Sequence, residues 1–478
     1  MSDRLESNDS YLYEQVIGKI AGLIGERVLR PGDRIPSIRR LSSQMDVSIS
    51  TVLQAYLLLE SKGLIEARPQ SGYFVKLRAD KLPPEPKISS PSASATPVGV
   101  SELVSKMLEA ARDPEIVPLG AATLSHELLP LNQLNRTIAA IARRRGAAAI
   151  NYDLPPGNEA LRRQVARRSL DWGCNLSLND IVSTCGGMEA LNLCLRAVAK
   201  PGDTIVIESP TFFGILQVIE SLGMKALEIA THPRDGMDLE ALERAIKRNR
   251  VKACMIIPNF NNPLGSCMPD KNKRALVDML SRRDIPLIED DIYGDFYFGN
   301  SRPKTAKAFD REGLVLLCSS FSKTLAPGYR VGWVAPGRFK FQVEQLKFMN
   351  TLATATLPQM AIAQFLESGG YDRHLRKLRK AVATQVQLVS LAVSRYFPEG
   401  TRVTRPLGGF VLWVELPKSI NSLELHRKAL REKIGIIPGP IFSAKQRYQN
   451  FIRLSCGLPW SDKLEQALIN LGRLAGKK

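Results

Sequence analysis

The sequence predicts an α/β protein in two folded parts, a small mostly helical unit followed by a large domain on a mostly parallel sheet. Three observations predict it. Residues 11–75 hold three stretches of helical apolar spacing and then two short strand-like runs. Residues 80–99 carry Pro83, Pro84, Pro86, Pro91 and Pro97 among Ser, Lys and Ala, a composition that builds no core. From Ser101 onward, helical patterns alternate with short apolar runs, the rhythm of βαβ units. At 478 residues the chain is long enough for a large buried core, and 44% hydrophobic with 24% charged residues is ordinary for a soluble globular protein.

In the first part, Leu12, Val16, Ile20, Leu23 and Ile24 recur at helical spacing, and Pro31-Gly32-Asp33 stops the run. Ser37 precedes Ile38-Arg39-Arg40-Leu41 as the cap of a second helix. Asp46-Val47-Ser48 turns the chain into a third helix, Ser50 to Lys62, with Val52, Ala55, Tyr56 and Leu59 facing inward and Gly63 ending it. Leu64–Ala67 and Tyr73–Val75 then flank Arg68-Pro69-Gln70-Ser71-Gly72 as a two-stranded wing. Three helices and a wing describe a winged helix-turn-helix, whose third helix enters the DNA major groove.

The segments Pro31–Ser37, Ser50-Thr51-Val52, Leu59–Ile65 and Ser71–Val75 resemble the DNA-binding domain of GntR-type repressors across residues 11–76. The resemblance implies double-stranded DNA as a partner, touched by Arg39, by Ser48, Ser50 and Thr51 at the start of helix three, and by the wing near Gly72. Many members of that family carry arginines on helix three where this chain has Ile49 and Leu53; Gln54 remains as a base reader. The domain is drawn at 8–79, a linker at 80–100 and the large domain at 101–478. Extended at roughly 3.1 Å per residue, the linker spans about 60 Å, enough to let the small domain pack on another subunit.

Net charge is +19, which suggests a polyanionic partner. Residues 1–79 carry 11 Lys and Arg against 9 Asp and Glu, so +17 lies in the remainder, with clusters at Arg143–Arg145, Arg162-Arg163, Arg167-Arg168 and Arg376–Lys380. Such clusters are usually solvated helix faces. No apolar run is long enough to span a membrane, and the start of the chain lacks a signal-peptide core. Seven cysteines without a Cys-x-x-Cys pair and four scattered histidines point to reduced thiols in a cytoplasm and to no metal site.

In the large domain, Thr204–Ile207, Ala253–Ile257, Pro286–Ile288 and Leu314–Leu317 read as buried strands, with Leu239–Arg248 and Lys271–Arg282 among the helices between them. The sharpest stretch follows the last of these strands: Ser320-Phe321-Ser322-Lys323-Thr324, with Arg330 seven residues after Lys323. Burial lowers a lysine's pKa, which readies the amine to form an imine with an aldehyde, and two hydroxyls with a fixed cation suit a phosphate. Together they suggest a Schiff-base lysine and pyridoxal phosphate; alone, the stretch also reads as an ordinary charged surface turn. Other strand ends carry matching groups. Gly186-Gly187-Met188-Glu189 opens a helix whose amides suit phosphate, and Phe212 offers an aromatic face. Asn262 suits a phenolic oxygen, and Glu289-Asp290-Asp291 offers a carboxylate to a ring nitrogen.

In this order and spacing, these groups closely resemble the fold-type I aminotransferases over roughly residues 116–475. The resemblance implies a smaller α+β C-terminal subdomain and a set of roles. Lys323 is the imine lysine, Asp291 the ring-nitrogen partner, Asn262 and Tyr293 the partners of the ring hydroxyl, and Phe212 the stacking ring. Ser320, Ser322, Arg330 and the amides of Gly187, Met188 and Glu189 hold the phosphate. Tyr152 reaches the phosphate of the neighbouring subunit in a homodimer, and Arg453 clamps a substrate or effector carboxylate. Leu264 stands where a threonine is usual. Joined to the winged helix, the whole chain resembles the MocR-type regulators. That implies a pyridoxal-phosphate-dependent transcriptional regulator sensing a small amino compound through an external aldimine. Two alternatives stay open: a true aminotransferase with an accessory DNA-binding domain, and a regulator that senses pyridoxal phosphate itself.

Overall fold

The structure, a computed structural model, describes every residue except 1–10, 27, 30–31, 69–70, 77–81, 111–112 and 477–478. The stop at Pro31, and Pro69 and Gln70 of the wing turn, lie outside the described residues. The chain divides into two units, Met1–Leu82 and Pro83–Lys478.

In the first unit, α1 (Leu12–Gly25), α2 (Ile38–Met45) and α3 (Ile49–Ser61) are followed by β1 (Ile65–Arg68) and β2 (Gly72–Val75). β1 and β2 pair antiparallel with Ile65 opposite Val75. The caps are local chemistry. The Ser37 hydroxyl accepts the Arg40 amide, Asp46 closes α2 in the left-handed region at φ 52°, and Ser48 accepts the Thr51 amide. Val16, Ile20, Ile35, Leu41, Val52, Ala55, Tyr56, Leu59, Ile65 and Val75 form the core. The Tyr56 hydroxyl donates to the Pro36 carbonyl at 2.7 Å. Of the α1 stripe, Val16 and Ile20 are fully buried while Leu12 stays exposed.

The second unit is built on one mixed sheet. Its strands are β3 (Thr96–Pro97), β4 (Val182–Thr184), β5 (Thr204–Ser209), β6 (Lys225–His232), β7 (Gly236–Met237), β8 (Val251–Ile256), β9 (Leu287–Asp290), β10 (Val315–Ser320) and β11 (Gly332–Ala335). The order is β3-β6-β5-β8-β9-β10-β11-β4, with β7 hairpinned onto β6. The run from β6 through β10 is parallel, and β11 returns antiparallel between β10 and β4. Both faces are buried. Ile205, Ile207, Ala253, Met255, Ile288 and Leu316 enter one hydrophobic cluster, and the alternating Val206, Cys254, Ile256, Leu287 and Val315 enter another. A second sheet of β12 (Arg402–Val403), β13 (Val411–Glu415), β14 (Ile437–Pro438) and β15 (Phe451–Ser455), in the order β12-β13-β15-β14, forms the C-terminal part.

The semi-rigid linker expected over 80–99 is docked from Pro83 onward. The Pro84 carbonyl accepts the Val403 amide, Glu85 accepts the Arg405 amide and pairs with Arg234, and Ser89 exchanges hydrogen bonds with Thr231. Thr96–Pro97 adds to the sheet edge at β6, and Glu220 accepts the Val100 and Ser101 amides. Proline rings remove donors but leave every carbonyl, and this strap uses those carbonyls against the body of the unit.

The arginine clusters are only partly solvated. Arg143–Arg145 are exposed, whereas Arg162 donates to the Gly157 and Leu178 carbonyls and Arg168 pairs with Asp372. Among the described residues, no helix is long and apolar enough to cross a membrane.

Candidate functional site

The C-terminal ends of β5, β8, β9 and β10 bring the candidate groups of the second unit together, as parallel sheets do at such an edge. Lys323 sits three residues past β10, and its Nζ donates to the Ala122 carbonyl at 2.6 Å. Burial, with help from the nearby Arg453 and Arg330, pulls its ammonium down to about 8, against the opposing pull of Asp290. A neutral amine is therefore available close to neutrality. Loading of cofactor-free protein with pyridoxal phosphate is expected to quicken as pH rises through about 8 and to level above it. A stopped-flow absorbance series over pH 6–10 checks this.

A phosphate cradle lies beside Lys323. Gly186, at φ 87°, caps the helix Gly187–Val198, and a Cβ there would lie 2.5 Å from Arg330 Nη2. Only glycine lets the guanidinium close over the helix start. Arg330 donates to the Ser322 hydroxyl at 3.1 Å and the Cys185 carbonyl at 3.2 Å. Ser320 Oγ is 2.8 Å from Ser322 Oγ, and a Cβ on Gly187 would lie 3.6 Å from Ser320 Cβ. Gly187, Met188, Ser320, Ser322 and Arg330 thus converge. Glu189 contributes its amide alone, because its carboxylate accepts the Cys185 amide, Lys347 Nζ and the Thr351 hydroxyl.

Beyond the cradle, Asn262 Nδ2 donates to the Tyr293 hydroxyl at 3.3 Å, and burial pushes that phenol up to about 12. Phe212 caps the helix Phe213–Ser221 with its ring beside Gly214 and Met188. Arg453, in the middle of β15, is fully buried; it donates to Asn262 Oδ1 at 2.9 Å and to the Gly120 carbonyl. Its Nε has no hydrogen-bond partner, and among the described residues no carboxylate lies within ion-pair distance. Burial lowers this guanidinium to about 10. A buried cation of this kind is costly to leave unpaired and suits an incoming carboxylate.

The ring-nitrogen assignment of Asp291 is corrected. Side chains alternate along β9, so Glu289 and Asp291 share the face away from Lys323. Asp291 pairs with Arg302 and accepts Asn259 Nδ2 at 2.8 Å, a buried structural network. Asp290 points the other way, where it interacts electrostatically with Lys323 and Tyr293. It accepts the Ile292 amide, and burial pushes it up to about 7. A buried carboxylate facing Lys323 fits a protonated ring nitrogen. Three consecutive acids left the strand phase, and with it the choice of Asp290, open in the sequence, and the Gly120 and Ala122 carbonyls left no signal in their side chains.

These groups fit pyridoxal phosphate: a cradle that a Cβ would fill, a carboxylate facing the lysine, and an orphaned guanidinium nitrogen. Tyr152 is 76% exposed.

In the first unit, Arg39 is exposed on α2, and Ser50 and Gln54 are exposed on α3. Thr51 is half-buried with its hydroxyl 2.7 Å from Ser48 Oγ, so the Ser48 hydroxyl is already engaged as a cap. Gly72 takes φ 96° at the wing, beside the Arg34 guanidinium.

A strand-end site of this composition, in one chain with a winged helix-turn-helix, defines a DNA-binding protein with an aminotransferase-like domain. The chain belongs to the aminotransferase class I and II family, whose model matches residues 115–469, and residues 12–75 match that of bacterial regulatory proteins of the gntR family. It is 42% identical to the HTH-type transcriptional regulator YdcR of Escherichia coli, over 97% of this chain and 98% of that one. It is 40% identical to the HTH-type transcriptional regulator YjiR of the same organism, over 96% and 98%. The crystal structure of LysN, the α-aminoadipate aminotransferase of Thermus thermophilus, complexed with N-(5'-phosphopyridoxyl)-L-leucine, superposes with a TM-score of 0.72 at 29% identity. The match covers 79% of this chain and 98% of that one.

Proposed function

We propose that this protein is a MocR-type transcriptional regulator that holds pyridoxal phosphate in its large unit and senses a small amino compound bearing a carboxylate. The observation that carries the effector class is Arg453, a buried guanidinium beside Asn262 and Lys323 with no acidic partner among the described residues. When bound, pyridoxal phosphate supplies an aldehyde that exchanges amines and a ring that draws electrons from the attached carbon. The chain's own groups do the rest. Arg330, Ser320, Ser322 and the Gly187–Glu189 amides anchor the dianion, and the helix dipole adds to them. Asp290 holds the ring-nitrogen proton, Asn262 and Tyr293 orient the ring hydroxyl, Phe212 packs on the ring face, and Arg453 fixes the effector's carboxylate.

We also read the chain as a homodimer, on an exposed apolar face. Ile150, Tyr152, Leu154, Phe348 and Met349 are exposed, and two contacts draw their segments together: the Asp153–Thr354 bridge and the Thr356 hydroxyl on the Asn151 carbonyl. Tyr152 on this apolar face reaches the partner's cradle. We place the protein in the cytoplasm, with its DNA. The drawn boundaries 8–79, 80–100 and 101–478 are retained as a description of the sequence, with the strap functioning as part of the large unit.

The test uses the full chain loaded with pyridoxal phosphate, titrated with amino acids while absorbance and DNA affinity are followed together, with a 2-oxo acid added for turnover. A regulator changes DNA affinity on amine binding and then stalls, and Arg453→Met loses at least about 30-fold in affinity for the amino acid. Sustained turnover at about 1 per second or faster makes the chain an aminotransferase instead. A DNA response to pyridoxal phosphate without any amine makes it a sensor of the cofactor.

A further inference from the structure

The outward face of α3 is apolar where a DNA-reading helix is ordinarily polar. Val52, Ala55, Tyr56 and Leu59 turn inward. Ile49, Leu53 and Leu57, spaced four apart and so stacked on successive turns, remain 55%, 39% and 52% exposed. None of the three joins the hydrophobic core of the unit. Ser50 and Gln54 lie exposed alongside them, and the sole charged residue within α3 is Glu60, whose carboxylate accepts the Ala67 amide.

The surroundings say what covers this stripe. Ser48, Ser50 and Thr51 put hydroxyls at the N-terminal end of α3, and Arg39 and Arg40 are exposed on the helix before it. Arg34 lies at the wing beside Gly72. An apolar strip flanked by hydroxyls and guanidinium groups is complementary to a major groove, with phosphates at its edges and base methyl groups on its floor. A helix face without Arg or Lys cannot make the forked pair with guanine O6 and N7. The features of the groove it can contact are the C5-methyl of thymine, by apolar packing, and the N6/N7 edge of adenine, through Gln54.

We propose that α3 reads A·T base pairs through thymine methyl groups, with Leu53 and Leu57 packed on methyls, Ile49 flanking them, Gln54 on adenine, and Arg34, Arg39 and Arg40 on phosphates. This rests on the reading that residues 12–75 bind DNA. It assigns the class of base that the protein recognises.

The experiment starts from a random duplex library selected on the full-length protein. Each thymine of the selected core is then replaced by deoxyuridine, which removes one methyl and leaves the pairing intact. The expected site is A·T-rich under α3, and each contacted methyl is worth about fourfold in affinity by fluorescence anisotropy. Leu53→Ala binds the thymine duplex more weakly and no longer distinguishes it from the deoxyuridine duplex, whereas Arg39→Ala weakens both equally. Because Leu53 is exposed, its replacement leaves the thermal midpoint unchanged, which separates reading from folding. Equal affinity of wild-type protein for thymine and deoxyuridine duplexes overturns the proposal while leaving DNA binding intact. So does a Leu53→Ala variant that changes oligomeric state without changing base preference, which assigns the stripe to a protein contact. Failure to bind any selected duplex removes the DNA-binding reading itself.

Discussion

Lys323→Ala protein, treated with pyridoxal phosphate and then borohydride, is expected to carry no pyridoxyl group at the strand-end site, whereas the wild-type chain carries one on the Lys323 peptide. Intact mass and peptide mapping read the difference, and the expected effect is complete loss. The reason is positional. Lys323 is the lysine that combines burial, a lowered pKa of about 8 and a place between the phosphate cradle and Arg453. Lys347 also approaches the cradle, but its ammonium is bound to Glu189 at 2.8 Å and to the Thr351 hydroxyl at 2.7 Å. Those contacts occupy its nitrogen, and it does not substitute. Wild-type-like labelling of the variant near the cradle would move the imine site to another lysine. The same variant is expected to bind DNA with the affinity of the effector-free protein and to lose its response to amines.

The adjacent carboxylates Asp290 and Asp291 are expected to fail in opposite ways. Asp291→Asn removes one of the two acids around the buried Arg302, whose remaining partner is Asp295. Breaking such a pair costs on the order of 3 kcal/mol, so the variant unfolds several degrees lower with or without cofactor. Asp290→Asn removes a buried acid that the cofactor-free chain does not pair with a cation. Its folded pKa, raised to about 7, makes wild-type stability fall as pH rises from about 4 toward 7, because the folded state holds the proton more tightly than the unfolded one. The Asn variant loses that slope and keeps its thermal midpoint near neutrality, yet binds pyridoxal phosphate about 100-fold more weakly. Differential scanning fluorimetry over pH 4–8, beside a cofactor titration, distinguishes the two. The reverse pattern would restore Asp291 as the partner of the ring.

Residue type placed a carboxylate at the end of β9, but which of three consecutive acids faces the site depends on the phase of the strand, and phase is set by tertiary packing. Core positions at helical spacing were legible because burial imposes them: Val52, Ala55, Tyr56 and Leu59 line α3 inwardly as their spacing requires. Lys323 and Asn262 drew notice in the sequence because each follows an apolar strand-like run, Tyr293 came from the family resemblance, and the structure brings all of them and Arg330 to one sheet edge. The Gly120 and Ala122 carbonyls were not, since any residue supplies a carbonyl and long-range folding alone brings residue 122 to residue 323. The docking of the strap leaves no signal in the sequence for a related reason. Proline-rich composition excludes a core of its own but says nothing about docking on another surface.

That strap sets where the molecule can be cut and recombined. A large unit joined to a different DNA reader has to begin at Pro83, because starting at Ser101 would strip the edge strand from β6, leave Arg234 and the Arg405 amide without Glu85, and take Ser89 from Thr231. Glu85 also ties the turn at Arg234 to the segment at Arg405, and the next residue, Pro406, packs against Gly265 in the loop that carries Asn262. Any exchange of modules that keeps the chemistry but moves the seam into this segment therefore disturbs the pocket from its outside.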